Sequence, residues 1–292
     1  MNHRLFLFLA LLGLGTFGLS ACPSTGDDDD SAGDDDDATG DDDDSAGDDD
    51  DATGDDDDAT GTPFSIFGVF DDGFGSGIAV NDEAWLSWSE FGTSRYDIVS
   101  MDEQNQLIIA QNASTNGFAP DLWSRFEWTE EQGAGYFCQS VYEGASEQAA
   151  IDATPADASD LVAGCGGFGW SALTADPARI AIAGVHTDEY TGDNTITDTE
   201  WSVMTGDDLA RFAITQFDNA AGYAIAQNGS KNTFNADLWT RFDFVEVDGG
   251  WWSCTTAYDA ATEADALATA AADATSPSTG GCGGFPWTNL TP

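Results

Sequence analysis

Asp121-Leu122-Trp123-Ser124-Arg125-Phe126 returns as Asp237-Leu238-Trp239-Thr240-Arg241-Phe242, and Ala110-Gln111-Asn112 returns as Ala226-Gln227-Asn228. The offset is 116 residues in both cases (237 − 121 and 226 − 110), and it also joins Gly68 to Gly184, Trp85 to Trp201, Arg95 to Arg211 and Cys138 to Cys254. Late in the copy it becomes 117, where Cys165-Gly166-Gly167-Phe168 answers to Cys282-Gly283-Gly284-Phe285 and Trp170 to Trp287. A period above one hundred is too long for a solenoid unit and close to the usual size of a domain. Two tandem domains are therefore expected, at residues 63–172 and 178–292, joined by a linker at 171–179.

Each copy reads as β. Residues 211–217 and 222–227 are short runs rich in strand formers, and Asp218-Asn219-Ala220-Ala221 between them is hairpin punctuation. Their counterparts are 96–101 and 106–111. A second hairpin joins 123–129 to 135–142, repeated as 239–245 and 251–258, and short strands before Trp85 and Trp201 complete a meander. Ala and Glu dominate 146–153 and 262–272, which predicts one helix per copy with Ser146 and Thr262 as caps. The expected fold class is all-β with one short helix per domain. About six to eight antiparallel strands would form a small barrel or a curled sheet, a choice the pattern leaves open.

The 292 residues include 7 Lys+Arg against 54 Asp+Glu, a formal net charge of −47. That balance argues against nucleic acid or anionic lipid headgroups as partners, since both require a basic footprint. Apolar residues at 41%, with ten Trp and eighteen Phe, exclude global disorder. The acid is concentrated: five Asp tetrads between Asp27 and Asp58 hold 20 carboxylates (5 × 4), separated by Ser-Ala-Gly or Ala-Thr-Gly. This seven-residue period has no apolar position and cannot be a coiled coil. It predicts an expanded tether, whose roughly forty residues reach at most about 130 to 140 Å. Weak association with calcium or magnesium is the only cofactor chemistry expected there, because an unfolded run cannot converge ligands into a tight site.

Residues 5–19 are an almost unbroken apolar run after His3 and Arg4, too short to span a membrane and suited to a secretory signal. Leu19-Ser20-Ala21-Cys22 resembles the bacterial lipobox. The resemblance implies a signal peptide at 1–21, a diacylated Cys22 as first residue of the mature protein, and the tether at 22–62. Pro23 in place of Asp after the lipidated cysteine implies the outer membrane, and the acidic tether is read as a spacer that would carry the folded part at the cell surface. Five cysteines less Cys22 leave an even four. In a secreted chain the economical pairing is Cys138 with Cys165 and Cys254 with Cys282. Zinc is the competing reading, and the sequence holds neither a Cys-x-x-Cys spacing nor a nearby His to support it.

Histidine is the commonest general base, yet the chain has only His3 and His186, and His186 aligns with Phe70. A duplicated histidine mechanism is excluded. Asp72/Asp188, Asp102/Asp218, Asp121/Asp237 and Glu127/Asp243 recur and would supply paired-carboxylate chemistry. The bases after the signal are Arg95, Arg125, Arg179, Arg211, Lys231 and Arg241, and four of them occupy matched positions. A guanidinium retained in so acidic a domain is a buried partner for a carboxylate, with Glu127 or Asp102 the candidates for Arg125, or a ligand contact. Asn112, Asn116 and Trp123, repeated as Asn228, Asn232 and Trp239, combine amides with aromatic rings as a sugar-binding surface does. With Arg125 and Arg241 they form the candidate ligand-binding set; the alternative is a turn beside the core.

Ala-Gln-Asn, Leu-Trp-Ser/Thr-Arg-Phe and Cys-Gly-Gly-Phe followed by Trp resemble a repeat of uncharacterised bacterial lipoproteins, across most of 66–290; the first copy departs at Gly169, where the second has Pro286. The resemblance implies a fold unit and no activity. The expectation is a non-enzymatic binding or adhesion lipoprotein with a glycan or protein ligand, anchored in the membrane through Cys22. The alternatives are a polysaccharide hydrolase using the repeated carboxylates and a purely structural envelope protein.

Overall fold

The structure, a computed structural model, describes residues 64–292; the signal segment, Cys22 and the acidic run lie outside the described residues, as do the lipidation and cation expectations attached to them. Each copy is a closed barrel of eight antiparallel strands in simple up-and-down order. The first contains β1 (Gly68–Asp71), β2 (Gly77–Val80), β3 (Ala84–Ser89), β4 (Gly92–Asp102), β5 (Leu107–Asn112), β6 (Trp123–Glu131), β7 (Ala134–Gly144), helix α1 (Glu147–Ile151) and β8 (Ser171–Ala175). The second repeats it as β9 (Gly184–Asp188), β10 (Asp193–Ile196), β11 (Glu200–Thr205), β12 (Asp208–Asp218), β13 (Tyr223–Asn228), β14 (Trp239–Val247), β15 (Gly250–Ala260), α2 (Glu263–Ala268) and β16 (Thr288–Thr291). Pairing of β1 with β8 and of β9 with β16 closes each sheet, which resolves barrel against curled sheet.

The 171–179 linker is corrected by this closure. Ser171–Ala175 is β8, paired with β7 and β1, so the first domain runs to Ala175 rather than 172. Without the bonds it forms, two edges would be left open, and barrels remove edges by this means. The helices begin at the expected caps: Ser146 Oγ accepts from the Ala149 amide and Thr262 Oγ1 from that of Asp265. Both are shorter than expected. Among the described residues no helix is long and apolar enough to cross a membrane.

Side chains alternate between the two faces of each strand. Inside the first barrel Trp85 stacks on Phe126 at 4.5 Å, and inside the second Trp201 stacks on Phe242 at 4.4 Å. Ile66 and Ile182, each just ahead of its first strand, enter the buried cores. The disulfides join Cys138 to Cys165 and Cys254 to Cys282, which removes zinc as a reading of these thiols.

The barrels share a core. Ala79, Ala84, Leu86 and Trp88 lie on the outer face of β2 and β3, and their apolar cluster is continuous with Ile180, Ile182, Val185 and the interior of the second barrel. Trp88 lies so close over Gly77 that any Cβ there would enter its ring. Its Nε1 donates to Asp198 at 2.9 Å. Arg179 binds Asp71 of the first barrel at 2.6 Å and Asp198 of the second at 2.8 Å, and Arg95 reaches Asp193 at 2.7 Å. Arg179 holds the Asp71 carboxyl below the usual carboxylate range through their hydrogen bond.

Candidate functional site

Arg125 and Arg241 are buried on the outer wall of β6 and β14, beneath the helical insertion. Arg125 Nε donates to Glu127 at 2.8 Å, and its Nη1 to the carbonyls of Ile151 and Ala153 where α1 ends. Glu127 accepts in addition from Ser140 Oγ and the Ala156 amide. The second copy repeats the arrangement with Asp243, Thr256, the Ala272 amide and the Leu267 carbonyl. Of the two partners expected for Arg125 the structure selects Glu127; Asp102 instead receives Asn105 in a turn. A guanidinium held by a carboxylate on one side and helix-end carbonyls on the other fastens the insertion to the barrel.

The asparagines are equally occupied. Asn112 Nδ2 donates to the carbonyls of Ala119 and Tyr142, and its Oδ1 accepts from Ser124. Asn228 repeats these bonds with Asn235, Tyr258 and Thr240. Each clamps a loop with two non-glycine residues at positive φ, Ala119 and Asp121 or Asn235 and Asp237. Asn116 pairs with both backbone groups of Arg95, and Asn232 with those of Arg211, so each amide acts as one more residue of the ladder. Trp123 and Trp239 are half-buried strand residues opposite Gln111 and Gln227. The candidate set is thus brought to one region of each barrel, but its polar groups hold the scaffold.

Of the four repeated carboxylate pairs, three have scaffold partners, and the exposed Asp121 and Asp237 engage only through their backbone. Glu127 and Asp243 are in ion pairs, Asp72 and Asp188 accept amides within turns, and Asp218 accepts from Ala220 and Ala221. Among the described residues no group of three or more His, Cys, Asp or Glu is placed to hold a metal ion.

Larger hollows lie at the opposite end of the second barrel, beside Ala181 and Trp251, and between the barrels, but one at the end next to the Asn228 loop combines an apolar floor with several aromatic rings. This hollow, of about 300 Å³, is lined by Val203, Ala210, Phe212 and Phe242, with Phe234, Tyr258 and Asp208 among its other lining residues. Phe234 and Tyr258 are 77% and 59% exposed at its rim. The first barrel carries Ser87, Ser94, Tyr96, Phe126 and Gln139 at the positions of Val203, Ala210, Phe212, Phe242 and Thr255. There Gln139 donates to Ser124 across the interior, so a polar pair occupies the space. Phe212 and Asp208 escaped a sequence reading that sought likeness between copies, and Tyr258, although matched by Tyr142, read only as a strand end. The signal was in the differences, Gln139 against Thr255 and Gly92 against Asp208.

The fold is a tandem pair of small up-and-down barrels, the second of which carries an aromatic-lined hollow at one end. No protein family, curated protein or solved structure matches the chain.

Proposed function

We propose that the chain is a non-enzymatic binding protein, anchored in the outer membrane through a lipid on Cys22, carried at the cell surface on its acidic tether, and directed at a glycan or protein ligand. The observation that carries the reading is the hollow of the second barrel, an apolar floor within an aromatic rim, at the size where small-ligand sites begin. The scaffold roles of Arg125, Arg241, Glu127 and Asp243 support binding over hydrolysis, because these buried side chains were the strongest repeated candidates for chemistry. The lipobox and the tether support display at a surface.

A glycan array and a pull-down with the full chain test the binding role. The expected result is a partner retained by the native chain and lost on Phe234→Ala with Tyr258→Ala; no partner in either assay counts against it. Metabolic fatty-acid labelling tests the anchor, and the label should vanish in Cys22→Ser.

A further inference from the structure

We infer that the hollow of the second barrel binds a quaternary ammonium group, either a free small molecule of the choline type or a trimethylammonium substituent. The inference rests on the binding role proposed above and names the chemistry at that site. Four aromatic rings line the hollow: Phe212, Phe234, Phe242 and Tyr258. Aromatic faces carry negative quadrupole potential and attract cations, most effectively where water is excluded. Asp208 supplies a formal negative charge to the same lining, where the first barrel has Gly92. The chain as a whole carries −47, so its field concentrates cations and repels anions.

Methylation decides which cation fits. A primary ammonium is a strongly hydrated point charge with three donors to satisfy. The floor of Val203, Ala210, Phe212 and Phe242 cannot answer three N–H groups. A trimethylammonium has no donors, carries its charge on an apolar surface and meets both requirements of the site. Most nearby polar side chains are already engaged, Asn228 and Thr240 with each other, Asn232 with Arg211, and Thr233 with Asp208, and the Thr255 and Tyr258 hydroxyls remain. That leaves little to recognise a sugar hydroxyl in the floor.

The test is an NMR titration of the full chain with choline, Nε-trimethyl-lysine and 3,3-dimethylbutanol, the last being the neutral carbon isostere of choline. Choline and trimethyl-lysine should both shift resonances of Val203, Ala210, Phe234 and Tyr258, and bind about tenfold or more tightly than the isostere. Binding should weaken in Asp208→Asn and with added salt. Phe212→Tyr with Thr255→Gln, which copies the first barrel's filling, should abolish it. Should that pair disturb folding, the exposed Tyr258→Ala carries the same test and should weaken binding severalfold. Choline alone binding, or trimethyl-lysine alone, identifies a free or a substituent source. Equal affinity for the isostere overturns the ammonium inference and leaves the hollow as a binding site. No shift with any of the three also overturns it, and the array and pull-down then decide the broader role separately.

Discussion

A guanidinium taken out of water must be answered by anions or carbonyls, and Arg125 has both. Removing it would leave Glu127 charged and buried, so Arg125→Ala should lower unfolding free energy by about 3 to 5 kcal/mol, measured by denaturant titration. Arg241→Ala should behave alike, with its cation–π contact to Tyr223 at 4.6 Å lost as well. A ligand-contact role predicts a small change in stability for both.

His186 is the other decisive residue. It takes the place of Phe70 inside the second barrel, where Nε2 lies 3.0 Å from the Ile182 carbonyl and buried Nδ1 has no partner. Burial lowers its pKa below the usual histidine value. The unfolded chain therefore takes up a proton near pH 6.5 while the native chain does not. Stability attributable to this site is complete above that pH and falls as pH drops, by at most about 1.4 kcal/mol per unit. In His186→Phe the decline between about pH 6.5 and the lowered native pKa should vanish; an unchanged profile would contradict the assignment. The comparison isolates the histidine from Glu83, whose carboxyl is raised by burial and acts in the opposite sense, and from Asp71, which acts only in stronger acid.

At the scale of elements, the disulfide and the buried ion pair secure the same insertion. Cys138–Cys165 closes a separation of 27 residues. Replacing both cysteines by serine should cost roughly 3.5 kcal/mol in the chain-entropy view, seen as a lower Tm, with the barrel kept because Arg125 still fastens the segment. The long hairpins β4–β5 and β6–β7 were legible because runs of strand formers flank clear turn residues, and both cysteine pairs were legible from repetition. The closing strands β8 and β16 were not. Thr288–Thr291 has four residues, and its partners in β9 lie about a hundred residues back in the chain. Its identity as a strand is a fact of closure that local patterning does not carry. The Asn112 block was found with two readings, a sugar-binding surface and a turn beside the core, and its bonds are those of the turn; the sequence shows amides beside rings without showing which carbonyls they meet.

Across the whole molecule, repetition was a misleading guide to the junction. Arg179 has no counterpart, and Gly77 and Trp88 align with Asp193 and Met204. Two copies meeting head to tail use different faces, so interface residues need not repeat. The shared core predicts that the barrels unfold in a single transition by calorimetry. Trp88→Ala combined with Arg179→Ala should split it in two, whereas two transitions in the native chain would contradict a shared core. The hollow follows the same logic, because duplication kept the frame while substitutions at Gln139/Thr255 and Tyr96/Phe212 separated the two interiors.

The central claim is that the repeated polar residues hold the frame and that binding belongs to the aromatic-lined end of the second barrel. Amide chemical-shift mapping of the full chain against a panel of small neutral and cationic ligands tests it most directly. Shifts should cluster around Val203, Ala210, Phe234 and Tyr258, with their first-barrel counterparts Ser87, Ser94, Phe118 and Tyr142 unmoved. Equal responses in both barrels, or shifts centred on Arg125 and Asn116, would contradict it.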